Sequence, residues 1–159
     1  MNYFELFEIP VSLRVDRSTL ARKYFELQKQ YHPDFFANAG ADEQAEMLER
    51  SSQINKALKT FQKEELTIKY LLQQKDLLQE EEKYALPPEF LMEVMELNEN
   101  MSNSSADQVA AFENDIYAPV KEIIENYDDK TTTNEELLKV KEYYFKKKYL
   151  QRILERMDD

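Results

Sequence analysis

The 159-residue sequence predicts an all-α protein with two functional parts. It contains only one glycine and five prolines, so long segments are free of residues that break helices. Apolar side chains recur through these segments at the three- and four-residue spacing of amphipathic helices. The charge is divided unevenly, because residues 1–75 carry 11 basic and 11 acidic side chains whereas residues 76–159 carry 10 and 21. This division predicts two parts with different roles.

The first part is predicted to be a helical hairpin flanked by two short helices, at about residues 3–7 and 65–74. Asp16 is a suitable N-cap for the first hairpin helix, and Pro33 should end that helix at about Tyr31. One apolar stripe marks each hairpin helix: Leu20, Tyr24, Leu27 and Tyr31 in the first, and Met47, Ser51, Ile54, Leu58 and Phe61 in the second.

The tripeptide His32-Pro33-Asp34 falls on the turn between the two hairpin helices, and it contains the only histidine of the chain. The outward face of the preceding helix carries three basic residues, Arg22, Lys23 and Lys29. A purely structural alternative is a helix stopped by Pro33, in which Asp34 caps the next element and His32 is merely solvated. His-Pro-Asp at the tip of a helical hairpin resembles the J domain, the module that activates DnaK-type chaperone ATPases.

The second part is predicted to be a three-helix bundle that follows a charged linker at residues 76–87. Pro88 suits the first position of a new helix, and Asn134 is the predicted N-cap of the last one. Pro119 should kink or divide the middle helix. Short polar turns give predicted helices at about 88–101, 105–127 and 134–157, which should pack side by side.

The helix after Pro88 has more apolar residues than one core face needs. At 100° per residue, one face carries Phe90, Val94, Leu97 and Met101. A second face mixes apolar groups with carboxylates: Leu91, Met92, Met95, Glu96 and Glu99. Methionine suits surfaces that adapt to a partner. In the last helix, Phe145 likewise lies nearly opposite the centre of the apolar stripe. The alternative is that both helices are buried against neighbours on two sides.

Five segments extend the resemblance beyond a J domain: residues 3–7, 27–34, 54–57, 70–72 and 90–93. In this order and spacing they resemble the HscB-type co-chaperones of iron–sulfur cluster biogenesis. The resemblance implies that residues 1–75 form a J domain that stimulates a DnaK/HscA-type ATPase. It also implies that residues 88–159 form a bundle that binds an IscU-type iron–sulfur scaffold protein.

The resemblance further implies roles for individual residues. Chaperone binding falls on His32, Pro33 and Asp34, supported by Arg22, Lys23 and Lys29. Scaffold binding falls on Leu91, Met92, Met95, Glu96, Glu99 and Phe145. Two positions depart from the family pattern, because Phe35 stands where a basic residue is common and Pro119 has no expected counterpart. The chain has no cysteine, so the metal-binding cysteine pairs of mitochondrial members are absent, the bacterial type fits better, and no metal or other cofactor is implied.

Composition limits the other functions. With no cysteine and one histidine, neither thiolate sites nor His-based zinc or di-iron sites are expected. The acidic second part is unsuited to nucleic acid, and no stretch approaches the roughly 18 apolar residues of a membrane span. The first residues have neither the basic nor the apolar region of a secretory signal, so a cytoplasmic protein is expected.

Two other functions remain open from the sequence. The first is a general J-domain co-chaperone whose bundle binds a different client or dimerises. The second is an enzyme with paired carboxylates such as Glu96 and Glu99, but no glycine-rich phosphate loop, second histidine or Ser/His/Asp group supports it. The predicted function is therefore that of a non-enzymatic co-chaperone.

Overall fold

A computed structural model of the protein describes residues 1–100 and 105–157. These residues form helices and no strand, which confirms the predicted all-α fold. The predicted turn at 101–104 and the predicted core role of Met101 lie outside the described residues. The α-helices are α1 Tyr3–Leu6, α2 Arg17–Tyr31, α3 Ala41–Gln62, α4 Glu64–Gln74, α5 Pro88–Glu99, α6 Ser105–Tyr117, α7 Lys121–Glu125 and α8 Asn134–Met157. The chain divides into two compact units, unit 1 from Met1 to Leu71 and unit 2 from Leu72 to Asp159.

The core of unit 1 forms where α1 packs against α3 and α4. The ring centroids of Phe4 and Phe7 lie 5.1 and 5.5 Å from that of Phe61. Tyr3 meets Tyr70 edge-on at 4.5 Å, and the Tyr3 backbone N–H donates a hydrogen bond of 2.9 Å to the Tyr70 hydroxyl. Burial raises the pKa of Tyr70. These ring pairs contribute interaction energy in addition to that of the apolar area they bury, and they hold the base of the hairpin together.

Helices α2 and α3 form the predicted hairpin. The Asp16 carboxylate accepts a hydrogen bond of 3.0 Å from the backbone N–H of Thr19 and one of 2.8 Å from the Ser18 hydroxyl, which confirms the predicted N-cap. These bonds hold the pKa of Asp16 below its usual range. Leu20 is buried, and the Tyr24 hydroxyl donates to the Asn55 side chain at 3.0 Å. Apolar and polar contacts therefore join the two helices.

Helices α1 and α4 both end in a left-handed residue that is not glycine. The residues are Glu8 and Asp76, with φ of 53° and 58°. In each case the N–H of the following residue donates to the carbonyl five positions back, at 3.0 and 2.9 Å, which completes a Schellman motif. The motif turns the chain sharply out of the helix, although a side chain at this φ is more strained than glycine.

Helix α8 packs along α5, α6 and α7 in unit 2. The Phe90 ring centroid lies 5.9 Å from that of Phe112 and 6.2 Å from that of Tyr149, so α5, α6 and α8 form the predicted three-helix bundle. Pro119 divides the middle predicted helix as expected, because a 3-10 turn at Ala118–Val120 separates α6 from α7. Within residues 1–100 and 105–157, no helix is both long and apolar enough to cross a bilayer.

The N-cap of α8 is Thr133, and the prediction of Asn134 was wrong. The Thr133 hydroxyl accepts a hydrogen bond of 3.2 Å from the backbone N–H of Glu136, and the Glu136 carboxylate accepts one of 3.1 Å from the Thr133 N–H. This reciprocal arrangement is a capping box. Glu136 can form a capping box only with the residue three positions before it, which is Thr133. The capping box therefore outweighs the N-cap propensity of Asn134.

Residues 76–87, predicted as a charged linker, make specific contacts within unit 2. Leu78 is buried, and the ring of Tyr84 stacks on that of Phe145 at 4.6 Å with an interplanar angle of 3°. Glu82 forms an ion pair of 2.7 Å with Lys141 of α8, whose hydrogen bond holds the pKa of Glu82 below its usual range. This segment therefore covers a second face of α8.

Candidate interaction surfaces

The turn between α2 and α3 presents His32, Pro33 and Asp34. His32 is extended, with φ −64° and ψ 131°, as expected for a residue that precedes proline. Its N–H still donates to the Gln28 carbonyl at 3.1 Å, and its carbonyl accepts from the Phe35 N–H at 3.0 Å. The end of α2 and the 3-10 helix Pro33–Phe36 thus meet at His32. Local backbone geometry imposed by Pro33 forms the turn.

The side chains of His32 and Asp34 are both accessible on this turn. Nδ1 of His32 accepts a hydrogen bond of 3.2 Å from the Asp34 N–H and lies 3.5 Å from the Asp34 carboxylate. His32, rather than Asp34, therefore caps the 3-10 helix. An imidazole that accepts through Nδ1 carries its proton on Nε2, so Nε2 is the donor available to a partner. The Asp34 side chain is 88% exposed and offers its carboxylate to solvent.

The basic face of α2 is smaller than predicted. Arg22 and Lys29 are exposed as expected, two turns apart. Lys23 is only 23% exposed, because its Nζ lies 3.8 Å from the carboxylate of Glu8 and 4.0 Å from that of Glu26. One residue advances a helix by about 100°, which moves Lys23 from the face of Arg22 to the side that meets Glu8. The outward cations are therefore Arg22 and Lys29.

Phe25 is a surface residue that the sequence analysis did not identify. It lies between Arg22 and Lys29 on α2, is 61% exposed, and has the Nζ of Lys29 4.6 Å from its ring centroid. With Tyr24 and Leu58 it lines an open groove of about 550 Å³ between α2 and α3. Its spacing of three residues from Arg22 and four from Lys29 was the available signal, because such positions share a helix face.

Gln44 of α3 holds the chain that follows the tripeptide. Its side-chain nitrogen lies within hydrogen-bonding distance of the carbonyl oxygens of Phe36, Ala37 and Ala39, at 3.2, 2.9 and 3.1 Å. The sequence contains no signal for this contact, because it depends on the loop folding back over the start of α3. Gln44 therefore fixes the exit of the turn, as the end of α2 fixes its entrance.

Helix α5 carries an uncovered apolar face in unit 2. Met92 and Met95 are 62% and 59% exposed, whereas Phe90 and Val94 are buried in the bundle. Leu91 is half-buried, unlike the two methionines, since it lies only about 100° from the core face. The carboxylate residues of this face, Glu96 and Glu99, are exposed. The structure thus brings five of the predicted scaffold-binding residues onto one helix.

Phe145 occupies a different environment. It is half-buried on α8, stacked against Tyr84 at 4.6 Å and in edge contact with Tyr144 at 5.2 Å. The surplus apolar face of α8 is therefore partly covered by the segment before α5, as the two-sided alternative anticipated. Sequence periodicity does not indicate this, because Tyr84 lies outside any helix.

The relatives described here carry HscB in their names. A family model described as the HSCB C-terminal oligomerisation domain matches residues 86–158. A co-chaperone protein HscB homolog from Pasteurella multocida is 35% identical over 125 residues, which is 73% of this chain and 71% of that protein. The homolog from Photobacterium profundum is 36% identical over 106 residues, and the match spans only 62% of its length.

Solved structures agree with the sequence relatives. The crystal structure of human co-chaperone protein HscB superimposes with a TM-score of 0.79 at 27% identity, covering 99% of this chain and 81% of that one. Chaperone HscB from Vibrio cholerae gives 0.66 at 27% identity, covering 99% and 98%. The chain belongs to the HscB family of co-chaperone proteins.

Proposed function

We propose that the protein stimulates the ATPase of a DnaK/HscA-type chaperone and delivers an IscU-type iron–sulfur scaffold protein to it. The observation that carries the proposal is the turn at residues 32–34, which holds a histidine and an 88% exposed carboxylate at the tip of a helical hairpin. Polar groups on such a turn are free to bind a partner because they do not contribute to the apolar core. The co-chaperone name of the family supports the proposal.

Unit 1 contacts the chaperone in two stages. Arg22 and Lys29 steer the encounter with an acidic surface, since exposed charges act mainly on the association rate. The short-range contact is then made by Nε2 of His32 and the carboxylate of Asp34. These groups bind best to the hydrolysing conformation of the ATPase and shift its population. This chain makes and breaks no bond itself, and it acts in the cytoplasm.

Unit 2 binds the scaffold through α5. Met92 and Met95 supply flexible, polarisable side chains that pack against a partner of complementary shape. Glu96 and Glu99 flank them and orient a partner that carries positive charge. Exposed apolar clusters on a folded domain more often mark a binding site than a defect of packing. Delivery of the scaffold requires only that unit 1 bind the chaperone while unit 2 binds the scaffold.

Self-association is a second candidate role for unit 2. The family model that matches residues 86–158 is described as an oligomerisation domain, which favours it. The same exposed face, Met92 and Met95, then buries against a second copy. Sedimentation across a concentration series tests this directly: a dimer that Met92→Ala and Met95→Ala dissociate supports self-association, and a monomer throughout rejects it.

The proposal is tested by titrating the protein into a purified HscA-type ATPase, with and without an IscU-type scaffold. We expect the protein alone to raise ATP turnover, and the scaffold to raise it further at the same protein concentration. Absence of any stimulation rejects the unit 1 assignment. Stimulation that the scaffold leaves unchanged retains the co-chaperone role and rejects the scaffold as client.

A further inference from the structure

Residues 82–86 lie beside α8 with the burial pattern of a strand that has no partner. Glu82, Tyr84 and Leu86 are half-buried, whereas Lys83 and Ala85 are exposed, so the side chains alternate with a period of two. Within the described part of the chain, none of the backbone N–H groups of residues 83–86 donates to an acceptor. An extended segment with unpaired amides is a template for the addition of a further strand.

Three cations surround this segment: Lys83 on the segment itself, and Lys148 and Arg152 on α8. None of them forms an ion pair with a carboxylate of residues 1–100 or 105–157, whereas the nearby Glu82 is neutralised by Lys141 at 2.7 Å. Lys148 and Arg152 are four residues apart on one face of α8, where like charges repel. The half of the chain that contains them carries 21 acidic and 10 basic side chains, so the local excess of positive charge is distinctive.

The space between the segment and α8 is a pocket of about 260 Å³. The stacked rings of Tyr84 and Phe145 form an apolar wall, and the Nζ of Lys148 lies 5.3 Å from the Tyr144 ring centroid. Sites for drug-sized ligands usually exceed about 300 Å³, so this pocket suits a single side chain rather than a cofactor. The pocket, the unpaired amides and the cations together fit one kind of ligand.

We propose that residues 82–86 with Lys148 and Arg152, here called the basic groove, bind an extended acidic segment of a partner protein. The partner pairs its backbone with alternate amides within residues 83–86, those on the edge that it joins, as in β-strand addition. Its carboxylates meet Lys83, Lys148 and Arg152, and one apolar side chain enters the pocket against Tyr84 and Phe145. The basic groove uses none of the α5 residues assigned to the scaffold and shares only Phe145 with the predicted scaffold-binding residues, so this role goes beyond the α5 surface of the proposed function.

The test uses the full-length protein and a fluorescein-labelled peptide in which glutamate and threonine alternate around one central leucine. We expect a rise in anisotropy that weakens with salt, and slower hydrogen exchange at alternate amides within residues 83–86. The double variant Lys148→Glu and Arg152→Glu should weaken binding by about tenfold or more. The matched variant Lys121→Glu and Lys139→Glu changes the net charge equally on exposed residues outside the groove, and it should bind like the wild type.

Several results would overturn the proposal. Equal binding of a peptide with glutamine in place of glutamate removes the role of the cations, and unchanged exchange at residues 83–86 removes the strand pairing. Competition by inorganic phosphate without amide protection identifies a small-anion site instead. A dimer that Lys148→Glu and Arg152→Glu dissociate, with no peptide binding, identifies a second copy of the chain as the occupant. Neither chaperone nor scaffold is present, so failure here is separate from failure of the proposed function.

Discussion

The two units present their candidate surfaces in contrasting ways. In unit 1 the surface is a polar turn, with His32 and Asp34 held by backbone geometry and capping. In unit 2 it is an apolar helix face, with Met92 and Met95 exposed by 62% and 59% on a helix whose other face builds the core. Changes in the turn should therefore act mainly on function, whereas position on α5 decides whether an apolar residue contributes to stability or to binding.

The largest expected effect is on ATPase stimulation by unit 1. His32→Gln or Asp34→Asn should reduce stimulation to the basal rate, because each change removes a group that we propose contacts the chaperone. The free energy of unfolding should change by less than about 0.5 kcal/mol for Asp34→Asn, because this exposed side chain lies outside the core. His32→Gln should cost about 1 kcal/mol at most, because it also removes the cap of the 3-10 helix. Stimulated ATP turnover and thermal denaturation measure the two quantities. Stimulation equal to that of the wild type would contradict the role of the turn.

The contrast within α5 is sharpened by comparing its two faces. Phe90→Ala should destabilise the protein by about 3–5 kcal/mol because it leaves a cavity in the bundle. The pair Met92→Ala and Met95→Ala should cost far less stability, yet weaken scaffold binding by about tenfold or more. Denaturant unfolding and titration calorimetry with the scaffold measure both effects. If the methionine pair proves as destabilising as Phe90→Ala, the face is part of the core.

A smaller effect is expected from the charges beside the turn. Arg22→Glu with Lys29→Glu should slow association with the chaperone, and added salt should slow the wild type likewise, since such charges are screened beyond about 8 Å at physiological ionic strength. Stopped-flow association rates measure this. Lys23→Glu changes a residue that is already paired with Glu8, and it should slow association less. An association rate that salt does not alter would remove the electrostatic stage.

Substitution of Gln44 tests whether the chain that follows the turn, at residues 36–39, must be held in place. Gln44→Glu replaces a donor with a carboxylate that faces the carbonyl oxygens of Phe36, Ala37 and Ala39, so the loop should shift. We expect the concentration for half-maximal stimulation to rise several-fold while the maximal rate changes little. Gln53→Glu, an exposed substitution on the same helix, is the matched control. Equal curves for the two variants would show that Gln44 does not position the turn.

The smallest expected effect is on acid stability in unit 2. A hydrogen bond of 2.6 Å from Lys75 and another from the Tyr127 hydroxyl hold the pKa of Asp129 below its usual range. A lowered folded-state pKa stabilises the protein above about pH 4, and this contribution is lost as the pH falls through the folded value. Asp129→Asn should therefore reduce the fall of the unfolding midpoint at acidic pH. Asp115→Asn, which removes an exposed carboxylate, should leave this pH dependence unchanged. An equal fall of the midpoint at acidic pH in Asp129→Asn and the wild type would contradict the stabilising pairing of Asp129 with Lys75.

The elements of both units follow from local signals in the sequence. Asp16 as an N-cap and Pro119 as a helix divider act on their own neighbours, so the sequence predicts them correctly. The wrong prediction of Asn134 as the N-cap also concerns a local signal. Glu136 forms a capping box with Thr133, so Thr133 is the N-cap instead. Helical spacing likewise separates the buried Phe90 from the exposed Met92.

Contacts between distant residues could not be predicted in the same way. Lys23 lies on the predicted helix but turns to Glu8, which belongs to a loop whose course depends on the left-handed end of α1. Phe145 has the periodicity of a free face, yet Tyr84 from a non-helical segment stacks on it. To predict either contact one must know the path of a loop, and helical periodicity contains no information about loops.

We propose that the two surfaces act separately, and a crossed assay of two variants distinguishes their roles. His32→Gln and the pair Met92→Ala with Met95→Ala are each measured for scaffold affinity and for ATPase stimulation without scaffold. We expect His32→Gln to bind scaffold like the wild type without stimulating the ATPase, and the methionine pair to stimulate normally but bind scaffold poorly. If either variant loses both activities while remaining folded, the two surfaces are coupled and do not act separately.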